Sequence, residues 1–348
     1  MPFLSPLALW AAVGLASAAE VSTPERGHAS NPVWSRDGAW LAFEMNDFNG
    51  GIKLFAVKVA GGNPVGAPTK LVVPGASSSF SSGKSVATGP VWHPEGILVF
   101  EGSASGSDAR LFFWSPGGQS PAELLNTTQV AGDLSWPAIS ADGKRVLFVS
   151  DATGLGDVYQ WDRSSNQIQN VVASNMTESS PRFDAAARFA FSRKNQGGED
   201  LFTFAGGTVT PHVGGNGDQT RPVWSGEALV FFSSEAGDGQ WSIAVSDAVG
   251  KRRVVAKEVR LPYRATPALT PDGRWVVYGT ANNEEGGTLF ATLLDGSRTV
   301  KIPTGHVAAG EPSVVNVGGR LMLAYTALPS EGADWRQLHV IDVTDKLN

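Results

Sequence analysis

Seven prolines recur along the chain at nearly equal intervals, each followed by a short β-like segment, a tight-turn signal and an apolar run. They are Pro32, Pro90, Pro137, Pro181, Pro222, Pro267 and Pro312, separated by 58, 47, 44, 41, 45 and 45 residues. A repeat of this length holds four short strands, which is the content of one propeller blade. Three copies write Pro-Val-Trp outright, at 32–34, 90–92 and 222–224.

Each copy has the same internal order. The turn reads Asp-Gly at 37–38, 142–143 and 272–273, and Gly there supplies the positive φ that a tight hairpin needs. A second run follows ("WLAFEM", "RVLFVS", "WVVYGT"), then a third ("IKLFAVKV", "DVYQWD", "TLFATLL") and a plainer fourth ("TKLVV", "IQNVV", "TVKI"). None sustains a 3.6-residue period, so strands rather than helices are expected. The expected fold is all-β: a seven-bladed β-propeller of four-stranded antiparallel blades over 20–348. The proline suits the start of a strand because it lacks a donor N–H, and the following Trp is expected to fill the wedge between blades.

Ring closure follows from counting strands. Repeats one to six each supply a fourth strand, whereas the seventh stops after its third, "QLHVIDVTDKLN". An open blade edge must be covered. The segment near Glu20 to Thr23 is expected to pair beside Leu338 to Val343 and close the ring, with Pro24 ending that short strand.

Composition narrows the function classes. Residues 1–19 carry no charged side chain and end in a small-x-small pattern, Ala16-Ser17-Ala18, which reads as a secretory signal peptide cut near Ala18 or Ala19. The chain has no cysteine, which excludes disulfides, thiolate chemistry and a lipid-modified N-terminal cysteine. Net charge is −6 with no basic stripe, so no nucleic-acid partner is expected. No further transmembrane candidate follows the leader, and a periplasmic or secreted location is expected.

The unit "P-x-W-S-x-D-G-x-x-[apolar]-x-F" followed by "L-[FY]-x-x-D" resembles the WD40-like repeat called PD40, best known from TolB-like propellers of the bacterial envelope. "NPVWSRDGAWLAF", "WPAISADGKRVLFVSDATGLGDVYQWD" and "TPALTPDGRWVVY" carry the likeness most clearly. The resemblance covers roughly 20–345 and implies an exported propeller used as a binding platform. It departs from TolB-type proteins in having seven repeats rather than six and no room for an N-terminal α/β domain.

No motif of an enzyme stands out. There is no Gly-x-Ser-x-Gly elbow, P-loop, dinucleotide fingerprint or His-Glu-x-x-His, and no cofactor or metal site is expected. The five histidines are scattered over different repeats. Acids gather in the loops after the second strands, among them Asp47, Asp151, Asp157, Asp200, Asp238, Glu284, Glu285, Glu331 and Asp334. They read as a solubilising face, with docking of a basic partner or weak Ca²⁺ binding as the sharper readings.

The mouth of the central channel is the expected binding site, lined by residues leading into the anchor prolines: His28, Asn31, Asp133, Trp136, Arg221, Arg264, His306 and Glu311. Such a set could hold an acidic peptide terminus or a sugar acid. Arg221 and Arg264 are expected to be dispensable for stability. The favoured function is a non-catalytic binding or scaffold protein whose partner is an envelope protein or peptide, with a glycan as a further option. The alternative is a carbohydrate-active lyase or hydrolase with its site at the channel mouth.

Overall fold

The computed structural model describes residues 18–21, 25–47, 51–74, 85–104, 106–118, the backbone of 122–123, 127–234, 239–281 and 288–348. Seven four-stranded antiparallel sheets stand in a ring. The inner strands of successive blades are His28–Trp34, Val86–Trp92, Leu134–Ile139, Glu178–Phe183, Gln219–Ser225, Ala268–Leu269 and Val307–Val317. In blades one to six the remaining three strands follow outward in chain order. Helical structure among the described residues is limited to a 3₁₀ turn at Thr127–Gln129 and one turn at Thr344–Leu347.

Blade seven closes as its strand count requires. Its outer strand is Ala19–Val21, antiparallel to Gln337–Asp342, with Glu20 opposite His339 and Val21 opposite Leu338. Thr23 and Pro24 lie outside the described residues. The exposed edge is thereby satisfied by main-chain hydrogen bonds from the other end of the chain.

The core is a set of interfaces between blades. Each of the seven apolar clusters joins two consecutive blades, including the seam from blade seven to blade one, where Trp34, Phe43 and Phe55 meet Val315, Met322 and Val340. The Trp of Pro-Val-Trp fills this wedge as expected and also makes a specific bond. Trp34, Trp92 and Trp224 donate their indole N–H to the main-chain carbonyls of Ser313, Val33 and Arg182, each the residue just after the anchor proline of the preceding blade. The buried aromatic thus satisfies its polar atom while locking neighbouring blades in register.

Turn chemistry repeats with the blades. Ser35 donates its hydroxyl to Asp37 at 2.6 Å, and Asp37 accepts the N–H of Ala39. Ser140–Asp142 and Thr270–Asp272 do the same at 2.6 Å. Gly143 in one such turn has φ +71°, and a Cβ there would lie 2.4 Å from the His93 ring of the preceding blade. Both the backbone angle and the close approach demand glycine.

The anchor prolines do not start their strands. Except at Pro267, each sits inside its inner strand at a break in the pairing register, as between Ser30 and Val33 or between Ser135 and Ala138. The residue before the proline lies in the left-handed region: Asn31 (φ 46°), Gly89 (61°), Trp136 (56°), Ser180 (46°), Arg221 (55°) and Glu311 (50°). Six of the seven repeats therefore carry a β-bulge at the innermost strand, blade six being the exception, and there a residue without N–H costs the ladder nothing. The left-handed backbone is a strain held by its surroundings, and it turns the N–H before each proline away from the ladder.

Candidate functional site

The bulges aim those redirected N–H groups at side chains of neighbouring strands. The residue after the conserved-in-repeat aromatic of the second strand is Glu44 in blade one, Glu101 in blade two and Ser192 in blade four. Gly89 N–H donates to Glu44 Oε1 at 2.8 Å, Trp136 N–H to Glu101 Oε1 at 2.7 Å, and Arg221 N–H to Ser192 Oγ at 3.1 Å. Asn31 N–H donates to Glu311 Oε2 at 2.6 Å across the closing seam. The bulges thus gather three glutamates around the channel, of which Glu101 borders the cavity.

The channel encloses a cavity of about 320 Å³, bordered by Asn31, Gly89, Glu101, Trp136, Arg182, Phe183, Arg264 and five anchor prolines. Its polar end lies on the face where the chain passes from blade to blade. Its other end is apolar, formed by Val33, Val91, Ile139, Leu269 and Val314. Arg264, on the link into blade six, forms a bidentate pair with Glu101, Nη1 to Oε2 and Nη2 to Oε1, both at 2.7 Å. The same guanidinium lies 4.5 Å from the centroid of the Trp136 ring. Glu44 is fully buried and accepts from Asn31 Nδ2 (2.9 Å) and Thr88 Oγ1 (2.8 Å) besides Gly89.

These placements set the electrostatics. Burial pushes the Glu101 carboxyl up, and Arg264 with the Trp136 N–H pulls it back. Burial also raises Glu311, against the Asn31 N–H, with Glu44 adding repulsion. Arg182 is brought down to about 10 by burial and by Arg264, with a further push from Arg221. Arg221 is lowered by burial, and its guanidinium donates to the carbonyls of Pro262 and Ala265 beside Arg264.

The structure gathers some of the expected site residues and disperses others. Asn31, Trp136 and Arg264 line the cavity, and Glu311 and Arg221 adjoin it through Asn31 and Ala265. His28 sits near Trp335, ring centroids 5.1 Å apart, and its Nδ1 accepts the Arg336 N–H. Asp133 accepts the Ala109 N–H at 2.6 Å, and its own N–H binds Asp151. His306 bonds Tyr325 Oη at 2.9 Å and stacks on His339 at 3.9 Å. These three precede their prolines by too many residues to reach the channel centre. Arg264 is no free surface cation either: its side chain is 18% exposed and spoken for by a buried carboxylate.

Sequence reasoning missed Glu44, Glu101 and Arg182. The first two had a signal, a glutamate directly after Phe inside an apolar second strand ("AFEM", "VFEG"). The acidic loops are partly structural: Asp47 pairs with Lys53 at 3.3 Å, and Asp157 is 1% exposed and bonds Thr153. Asp238, Glu284 and Glu285 lie outside the described residues. Among the described residues no three His, Asp or Glu side chains converge as a metal site would require.

No family model matches the sequence, and no curated protein matches it. Solved structures do. A puromycin-hydrolyzing peptidase from Mycobacterium tuberculosis aligns over 96% of this chain and 56% of its own, at 17% identity and TM-score 0.63. An oligogalacturonate lyase from Vibrio parahaemolyticus aligns over 93% of both chains, at 11% identity and TM-score 0.60. TolB from Acinetobacter baumannii aligns over 80% of this chain and 67% of its own, at 18% identity and TM-score 0.56. Identities this low speak to fold and not to chemistry, since propellers host unrelated functions. The chain is a seven-bladed β-propeller whose fold is shared with TolB proteins and with the propellers of lyases and peptidases.

Proposed function

We propose that the protein is an exported, non-catalytic binding propeller of a bacterial cell envelope, periplasmic or secreted after loss of residues 1–18 or 1–19. It takes a protein or peptide partner on the face where the polar end of the channel lies. The observation that carries this reading is the state of the channel carboxylates. Both oxygens of Glu101 are held by Arg264, one of them also by the Trp136 N–H; Glu44 Oε1 is held by three donors, and Glu44 Oε2, though unpartnered, is buried away from the channel's solvent. A general base needs an oxygen free to take a proton from a substrate. These groups shape the channel, and a shaped polar channel serves recognition. Affinity capture from the native envelope with the full chain as bait tests the reading. A specific protein or peptide partner lost on blocking the channel face supports it; a partner held with the channel face blocked defeats the site assignment.

The lyase reading is kept because an oligogalacturonate lyase shares this fold over 93% of both chains, which places the same propeller scaffold in a known lyase without assigning its chemistry here. The channel also gathers the titratable groups Glu101, Arg264 and Arg182. Depolymerisation of oligogalacturonate, followed by the absorbance of the unsaturated product, would overturn the non-catalytic reading.

A further inference from the structure

The charges of the channel do not cancel where Arg182 stands. Glu101 is matched by Arg264. Arg182 borders the same cavity, yet among the described residues no carboxylate lies within ion-pair distance of it. Its guanidinium donates one hydrogen bond, Nη1 to the Pro181 carbonyl at 2.8 Å. Arg264 and Arg221 repel it, and Glu101, already paired with Arg264, attracts it only from beyond ion-pair distance. Arg182 is half-buried, and a guanidinium carries five donors, so most of its donors remain available to the cavity. The main chain at Arg182 is pinned by the Trp224 indole, whose N–H the Arg182 carbonyl accepts at 3.0 Å. A fixed cation with spare donors, facing a cavity of about 320 Å³, is a preorganised anion seat.

We propose that Arg182 receives the C-terminal carboxylate of an extended peptide that enters the channel, its last side chain resting on Val33, Val91, Ile139 and Leu269. This rests on the reading of the protein as a peptide-binding propeller. The channel already shows the required chemistry, since Arg264 and Glu101 form a bidentate guanidinium–carboxylate pair in it. Val33 and Val91, at the repeat position of Arg182, and Ile139 and Leu269 one residue further on, suit a small aliphatic side chain next to the carboxylate. A sugar acid fits less well. Sugar rings stack on exposed aromatic faces; of the two aromatics bordering the cavity among the described residues, Trp136 has a face covered by Arg264 and Phe183 packs edge-to-face with Phe189.

Calorimetric titration of the full chain with acetyl-Ala-Ala-Val, with its C-terminal amide and with trigalacturonate tests this. The free carboxylate is expected to bind about tenfold or more tightly than the amide, the scale of one charge-assisted bidentate contact. Arg182→Gln is expected to abolish that difference without lowering Tm, because it breaks no ion pair. Arg182→Lys keeps the charge but not the fork, and is expected to fall between. Equal binding of acid and amide, or discrimination retained in Arg182→Gln, overturns the carboxylate seat and leaves the peptide-binding reading standing. No binding of either peptide up to millimolar concentration also overturns the seat. Binding of trigalacturonate alone overturns both readings.

Discussion

Arg264 and Glu101 are 163 residues apart in sequence and meet in the channel in a bidentate ion pair, tying the link into blade six to the second strand of blade two. The two elements stand on opposite sides of a seven-membered ring. The pair therefore acts as a strap across the channel, and Glu101 also accepts the N–H of the strained residue Trp136.

Removing one partner of such a strap strands the other. Arg264→Ala is expected to cost about 3–5 kcal/mol, because a buried carboxylate loses its counter-charge. Glu101→Gln combined with Arg264→Met is expected to recover much of that loss. Urea unfolding of the single and double variants measures both. An Arg264→Ala variant as stable as the parent would restore the sequence-based expectation that this arginine is dispensable.

Ring closure has its own test. Val21 is 2% exposed and packs in the seam cluster with Leu338 and Val340. Val21→Asp places an unpaired charge there and is expected to destabilise by several kcal/mol. Deleting residues 19–21 is expected to lower Tm and promote self-association through the bared edge of Gln337–Asp342. Thermal melts and size-exclusion chromatography decide the matter; a deletion variant that melts like the parent and stays monomeric would show that closure does not depend on this strand.

The same seam makes stability sensitive to acid. His339 is 1% exposed, lies opposite Glu20 in the closing pair and is held down to about 4 by burial, with His306 adding repulsion. His306 is also lowered by burial. A histidine lowered in the folded state is neutral there while the unfolded chain binds a proton. Its contribution is thus full above the unfolded value near 6.5 and is lost as pH falls toward 4. The loss for His339 is about 3 kcal/mol at most. His339→Phe is expected to flatten the fall in Tm between pH 6.5 and 4, and an unchanged slope would count against the assignment.

Export is expected to leave the closing strand whole. A cut after Ala18 yields a mature chain starting at Ala19, the first residue of the strand Ala19–Val21. Mass spectrometry of the native protein is expected to show that start. Cleavage beyond Val21 would remove the strand that completes blade seven.

Much of this molecule was legible in its sequence because propeller information is local and repeated. The period gave the number of blades, Asp-Gly gave the hairpin turns, and the missing last strand pointed to residues 20–23. The role of the prolines was only half legible: a chain lacking a donor N–H can begin a strand or sit in a bulge, and pairing register decides between them. Once bulges form, the residue before the anchor proline in a bulged blade turns its N–H toward a neighbouring strand, which makes Glu44 and Glu101 structural acceptors. The sequence by itself determined the ring, its seven units and its seam, since each depends on contacts between strands adjacent in the repeat. Which charged groups meet in the channel was decided by the tertiary structure alone. Position in a repeat says how far a side chain lies from its own hairpin, whereas Arg264 reaches Glu101, and Arg182 has no ion-paired carboxylate among the described residues, through the ring's closed curvature, which brings together residues that no period relates.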